Sequence, residues 1–331
     1  MKIGLELEYW IADTEGRLVS SEQLAKKLEP GEQEFVEPLL ELKTSPHEDT
    51  AELREEAENI VKEALSEARD LGLKIVPLGT PLNSGKIEMI ETRRGQIQRQ
   101  IIGQELEAAK RVAGTHIHFE ILTAMDPALA LMNSSPCYRG EKLASSSRNQ
   151  VYRYRCYKNF PEHGQLWNYV NSVEEWEKKV EKRFQEFKQA GKENGINENE
   201  ITEHFTPHDA LWTPVRLRKQ FPTIEWRAPD SGDIQDALRL AEESKQIMEK
   251  VSEGRPDLEL PVFERLQKLS GKAIKKGLNH GEVRNYLKNL GFSPEEYSPY
   301  GSEASNNLTR KQARKIRLNR ARNFERRYEI S

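Results

Sequence analysis

The sequence predicts an α+β protein built on an antiparallel sheet, and three observations carry that prediction. Short extended segments with polar residues at every second position are set between long amphipathic helices. Their order (strand, long helix, strand, strand, helix, helix, strand) lacks the regular βαβ alternation of a doubly wound sheet. Beyond about residue 255 only helical patterns and polar loops remain.

The opening strand is GLELEYW, Gly4 to Trp10, closed by the turn DTEGR. EFVEPLLELKTSP resumes an extended pattern that stops at Pro46. Thr50 is the expected N-cap of a helix on which Leu53, Ala57, Ile60, Ala64 and Ala68 recur at helical spacing, and Gly72 ends it. LKIVPLG is a short strand, and VAGTHIHFEIL, entered through Gly114, is another. Asp126-Pro127 should cap a helix through ALALM. Ser172 and Glu175 form a capping box for an amphipathic helix with Val173, Trp176, Val180, Phe184 and Phe187 on one face. Its exit, AGKENGINENE, is expected to be a surface loop, and TIEWRAPDSGD a strand and turn with Asp233 capping the next helix.

The 331 residues can bury a sizeable core, and 36% hydrophobic with 32% charged residues is polar but mixed in sign. A formal charge of -3 excludes a global attraction to nucleic acid or anionic membrane. Cys137 and Cys156 have neither zinc nor disulfide spacing, which suits a reducing compartment and ordinary packing. No apolar run approaches the roughly 20 residues of a membrane span, and early glutamates interrupt any signal-peptide core. The expected location is cytoplasmic.

Residues two apart in a strand share a face, so Glu6/Glu8, Glu41/Lys43, His116/His118 and Glu225/Arg227 each present both members to one side. Any one pair alone fits a solvated face of an antiparallel sheet. If the strands are neighbours, the four pairs build one face with three or more carboxylates, two imidazoles and two cations. Carboxylates crowded this way are costly to bury unpaired, so something positive must sit among them. Oxygen-rich donors with few nitrogens suit Mg2+ or Mn2+. Arg227 and Lys43 beside such ions suit a phosphate, as in ATP chemistry. Asn133 and the Ser134-Ser135 turn are candidates for substrate binding, with simple caps and turns after a helix as the alternative. The His204/His208 spacing is interrupted by Pro207. GTPLNSGK fails as a phosphate loop, with five residues between its glycines and Ile87 after the lysine.

Five blocks, GLELEYW, LLELKTSPHEDTAEL, VAGTHIHFEI, ALALMNSSPCYRGEKLASSSR and TIEWRAPD, resemble in order and spacing the glutamate–cysteine ligase type 2 family of carboxylate–amine ligases, over about residues 1 to 240. The opening, His-x-His and Glu-x-Arg strands are also similar to glutamine synthetase. The resemblance implies a glutamine synthetase-like antiparallel sheet with a concave catalytic face backed by helices, plus a helical C-terminal region. It implies that ATP phosphorylates the γ-carboxylate of glutamate and that cysteine, or another amine in related ligases, attacks the acyl phosphate, a step of glutathione biosynthesis. It assigns Glu6, Glu8, Glu41, His116 and Glu225 to the metal, His118 to nucleotide phosphate, Arg227 to the transferring phosphoryl group and Arg148 to a substrate carboxylate or acyl phosphate, with a solvated surface charge on a helix as the alternative for Arg148. Leu7 stands where the family carries a third acid, and it should face the other side of the strand. The expected organisation is a catalytic domain over 1–255, with a helical insertion at about 172–200, and a helical extension over 256–331.

The run LTRKQARKIRLNRARNFERRYEIS carries nine Lys or Arg against two Glu. A terminal helix packed by a narrow stripe including Ile316 and Phe324 is the expectation, with a nucleic-acid or acidic partner as its alternative use. VYRYRCYKNF interleaves aromatic and basic residues but falls inside a family block. The expected partners are therefore small-molecule substrates, with no membrane, and a homo-oligomer is allowed.

Overall fold

The computed structural model describes residues 2–29, 31–83, 85–119, 123–160, 162–170, 172–210, 212–218, 223–253, 260–300 and 307–329. The first third comprises β1 (Gly4–Asp13), α1 (Glu22–Ala25), β2 (Gly31–Gln33), β3 (Leu39–Lys43), α2 (Thr50–Asp70), β4 (Leu73–Val76) and α3 (Arg93–Ile102). There follow β5 (Thr115–Phe119), β6 (Cys137–Tyr138), β7 (Glu141–Lys142), α4 (Ser147–Val151), α5 (Val173–Glu193) and α6 (Glu198–His204). The last part contains β8 (Val215–Arg218), β9 (Thr223–Trp226), α7 (Ile234–Ser252), α8 (Phe263–Lys276), α9 (Gly281–Leu290) and α10 (Arg310–Arg327).

As the sequence predicts, the sheet is antiparallel, in the order β2-β3-β1-β5-β9-β8, with β4 paired to the far half of β1. Glu6 stands opposite Lys43 and His116, Glu8 opposite Glu41, and Glu225 opposite both His118 and Arg216. Side chains directly opposite in paired strands share a face, so this register gathers all of them on one side. The other side of β1, Leu5, Leu7, Tyr9 and Ile11, packs with Leu53 and Val61 of α2 and Leu238 of α7. Leu7 is thus in the core, as its position in the strand requires. Further along the carboxylate side, Trp10 and Ala12 join a second core with Ile97 and Ile101 of α3 and Phe184 and Phe187 of α5. One sheet face is therefore polar at one end and apolar at the other, and α3 runs along the boundary.

Several local expectations are corrected. Asp49, not Thr50, caps α2, because Asp49 is extended and its carboxylate accepts the Ala51 N–H at 2.7 Å. Gly72 does follow the helix at φ +68°. Residues 34–38 are not a strand; β3 begins only at Leu39. Asp126 does not cap its helix, a 3₁₀ segment over Thr123–Met132, because its buried carboxylate is held by both terminal nitrogens of Arg153 at 2.8 Å. The loop after α5 is short, since Asn197 caps α6 within the polar run. Ser172 caps α5 as expected, but Val173 is exposed at its first turn.

The basic tail forms α10, capped reciprocally by Thr309 and Gln312. Ala313, Ala321 and Phe324 are buried, and Ile316 packs against the second core. Arg317, 1% exposed, donates to the Gly16 and Pro81 carbonyls and to Asn83 Oδ1. Lys74–Glu325 and Arg327–Asp233 ion pairs tie the same helix to β4 and to the start of α7. Cys137 and Cys156 are free and buried. Among the described residues no helix is long and apolar enough to cross a membrane.

Candidate active site

The polar end of the sheet face opens into a cavity of about 350 Å³. Glu8, Glu34, His116, Arg216 and Arg227 line it from the sheet side, Tyr152, Tyr157 and Trp212 form an aromatic wall, and Arg94 and Gln98 of α3 stand across from them.

Glu8 is aimed by the backbone. The Gly114 N–H donates to one carboxylate oxygen and the Gly114 carbonyl accepts from the Glu8 N–H. A Cβ at Gly114 would run into the Arg148 guanidinium, so any larger residue there would displace that group. His116 Nδ1 is 2.9 Å from Glu6 Oε2 and 3.4 Å from Glu225 Oε1, its Nε2 is 3.5 Å from Glu8 Oε1, and His118 Nε2 is 3.2 Å from Glu6 Oε1. Glu225, fully buried, is flanked by two guanidiniums, Arg216 Nε at 2.5 Å and Arg227 Nε at 2.9 Å; the latter is a close ion pair without hydrogen-bond alignment.

These neighbours split the carboxyl groups into two kinds. Burial pushes the Glu225 carboxyl up, but the charges of Arg227, Arg216 and His116 outweigh it and bring it down to about 2. Burial likewise opposes ionisation of Glu6, and hydrogen bonds from His116 and His118 hold it well below the usual carboxylate range. Glu41 goes the other way: burial and the charges of Glu34 and Glu6 raise it well above its ordinary value, against the pull of Lys43. Glu34 is also raised, by burial and the Glu8 charge. Ligand atoms of Glu8, Glu34 and Glu41 lie within 4.8 Å of one another, as do those of Glu6, Glu41 and His116 and those of Glu6, His118 and Glu225. A crowded, oxygen-rich set that raises its own proton affinity fits a hard divalent cation.

Arg148 is not a surface charge. It is 1% exposed, and its Nη1 donates to the Arg227 and Ala228 carbonyls at 2.9 and 3.1 Å while the residue lines the cavity. Its visible work is to hold the backbone that carries Arg227. The turn after β9 is fixed by Asp230, whose buried carboxylate accepts from the Ser134 N–H and the Ser135 and Ser146 hydroxyls. Ser231 Oγ in turn donates to the Glu8 carbonyl.

Of the residues singled out in the sequence, the fold brings Glu6, Glu8, Glu41, His116, His118, Glu225, Arg227 and Arg148 to this end of the sheet. Lys43 is turned to neighbouring carboxylates, 2.7 Å from Glu41 and 2.8 Å from Glu32, and is not in the cavity wall. Asn133 is elsewhere: its amide donates to the Ala273 carbonyl and it lines different cavities. Ser134 and Ser135 are occupied by Asp230, so they build the turn and do not face substrate. Beside Trp212 and Arg94 of the cavity wall, two charged residues next to the acid row escaped the sequence. Glu34 lies in an irregular segment with no period to mark it, whereas Arg216 sits in the alternation VRLR and the same period-two test would have marked its face.

The fold is similar to that of a bifunctional glutathione synthetase from Pasteurella multocida, at 16% identity and a TM-score of 0.59, covering 99% of this chain and 52% of that one. It is similar also to glutamate–cysteine ligase from Francisella tularensis in complex with AMP, at 12% identity and a TM-score of 0.55, covering 100% of this chain and 89% of that one. This chain thus spans about half the length of the first. No curated protein matches the chain. The model of glutamate-cysteine ligase family 2 matches residues 2–262. The chain, with the antiparallel fold and acid-lined sheet face described above, belongs to glutamate–cysteine ligase family 2.

Proposed function

We propose that this protein is an ATP-dependent carboxylate–amine ligase that joins the γ-carboxylate of glutamate to the amine of cysteine. The observation that carries the proposal is the row of acids and imidazoles, Glu6, Glu8, Glu34, Glu41, His116 and His118, beside the Arg216–Glu225–Arg227 cluster, of which Glu8, Glu34, His116, Arg216 and Arg227 line one cavity. A carboxylate is a poor electrophile, so transfer of the ATP γ-phosphoryl to it, with loss of ADP, supplies a leaving group; the amine then attacks and phosphate departs. Glu6, Glu8, Glu34, Glu41 and His116 would hold Mg2+ or Mn2+, which supplies charge stabilisation during phosphoryl transfer. Glu225 stays ionised and fixes the two guanidiniums, and Arg227 neutralises charge on the transferring group. His118 would face nucleotide phosphate. Arg148 positions Arg227 through its backbone and would add a cation near a substrate carboxylate. The aromatic wall of Tyr152, Tyr157 and Trp212 would limit water at the activated acyl group.

On this proposal residues 1–255 are the catalytic unit, with the helical insertion at about 172–200, and 256–331 a helical extension that shares its core. The two buried free thiols suit a cytoplasmic setting. The test is ADP and phosphate release over a panel of acids and amines. Release that requires glutamate, an amine and Mg2+, strongest with cysteine, supports the proposal; another preferred amine redirects it within the family. Release independent of any acid and amine pair overturns it.

A further inference from the structure

A second cavity, of about 290 Å³, shares no lining residue with the first. It lies between the start of α7, α10 and the segment Glu296–Tyr300. Two acceptors in its wall have no donor among the described residues. Asn133 is 1% exposed and spends its amide N–H on the Ala273 carbonyl, while its Oδ1 has no hydrogen-bond partner. An acceptor buried this way carries an uncompensated desolvation penalty when nothing donates to it. Asp236, in the first turn of α7, is half-buried and makes no hydrogen bond or close ion pair among the described residues, the charges of Arg327, Arg239 and Arg320 reaching it only at longer range, whereas Asp233 caps the helix and pairs with Arg327 at 3.0 Å.

The same wall carries three guanidiniums. Arg239 donates to the Glu296 carbonyl, Arg320 lies 3.6 Å above the Tyr300 ring and Arg327 joins Asp233. Donor-poor acceptors and clustered guanidiniums in one cavity call for a ligand with both signs of charge. We propose that this cavity binds a small zwitterionic amino acid, its ammonium received by Asn133 Oδ1 and Asp236 and its carboxylate by the arginines of α7 and α10. Inorganic phosphate would answer only half of that wall: it brings no positive charge and meets two aspartates.

Isothermal titration of the full chain with each proteinogenic amino acid, and with inorganic phosphate, tests the assignment. An Arg227→Ala background disables the first cavity, and Asp236→Asn alters the second while relieving the charge beside Asp233, so that variant should fold. The expected result is an amino acid whose affinity is unchanged by Arg227→Ala, falls at least tenfold in Asp236→Asn and is not competed by phosphate. The proposal is overturned by no binding of any amino acid, by binding that Arg227→Ala abolishes and Asp236→Asn spares, or by binding of phosphate alone.

Discussion

Glu41→Gln separates a cation site from an ordinary buried acid, because the two predict opposite changes in stability. Glu41 is 4% exposed, and its ligand atom lies within 4.8 Å of those of Glu8 and Glu34. At that separation and an effective dielectric of about 20, each repulsion is worth about 3.5 kcal/mol and the two together about 7 kcal/mol when all three are ionised, a penalty that the raised proton affinities of Glu41 and Glu34 relieve in part. Lys43, 2.7 Å away, returns about 6 kcal/mol on the same basis, and it retains Glu32 when Glu41 is neutralised. Desolvation of the charge and the nearby Glu6 add to the unfavourable side. The metal-free variant should therefore lose no stability and gain up to about 1–2 kcal/mol, roughly 2 °C in Tm for a chain of this size. Mg2+ acts in the opposite direction. At a hundred times its Kd it should stabilise the unsubstituted protein by about 2.7 kcal/mol, and loss of a carboxylate ligand should remove most of that increment. Thermal unfolding of both proteins in EDTA and in Mg2+ measures all four states. A Gln variant that is less stable in EDTA yet gains as much from Mg2+ as the unsubstituted chain would refute the site.

Glu8→Ala and Arg227→Ala should each lower turnover by about 10²–10³ or more while circular dichroism stays near that of the parent, and wild-type turnover in either folded variant contradicts the assigned roles. Asp126→Ala strands Arg153, 4% exposed, without its bidentate partner; a loss of about 3–5 kcal/mol in urea unfolding is expected, and a loss below about 1 kcal/mol would show that the pair contributes little. His163 is buried, which brings its pKa down to about 4 against the weaker pull of Glu186. Below pH 6.5 the unfolded chain takes up a proton that the folded chain refuses until about pH 4, so stability is lost as pH falls through that window, by at most about 3 kcal/mol. His163→Phe should flatten that part of the stability profile, and an unchanged slope would exclude His163 as its source.

The fold class and half of the site follow from periods of two and 3.6, which chain geometry imposes locally. Glu6 and Glu8 had to share a face once their segment was extended, Leu7 had to oppose them, and Asp233 and Ser172 could be recognised as caps because a cap acts on N–H groups two or three residues away. Burial and partnership are not local. The repeated acids, His-x-His and Glu-x-Arg became one surface only because β1 pairs with both β3 and β5, and β9 with both β5 and β8. Glu34 gained its place from a segment without regular structure, and Arg216 from facing Glu225 on the adjacent strand. Arg148 looked like a solvated helix charge until packing against Gly114 buried it, and Asn133 looked like part of the cleft although its partner, Ala273, is 140 positions away. Backbone periodicity says which way a side chain points relative to its neighbours; what it points at is settled by contacts between distant segments, and those exist only in the folded chain.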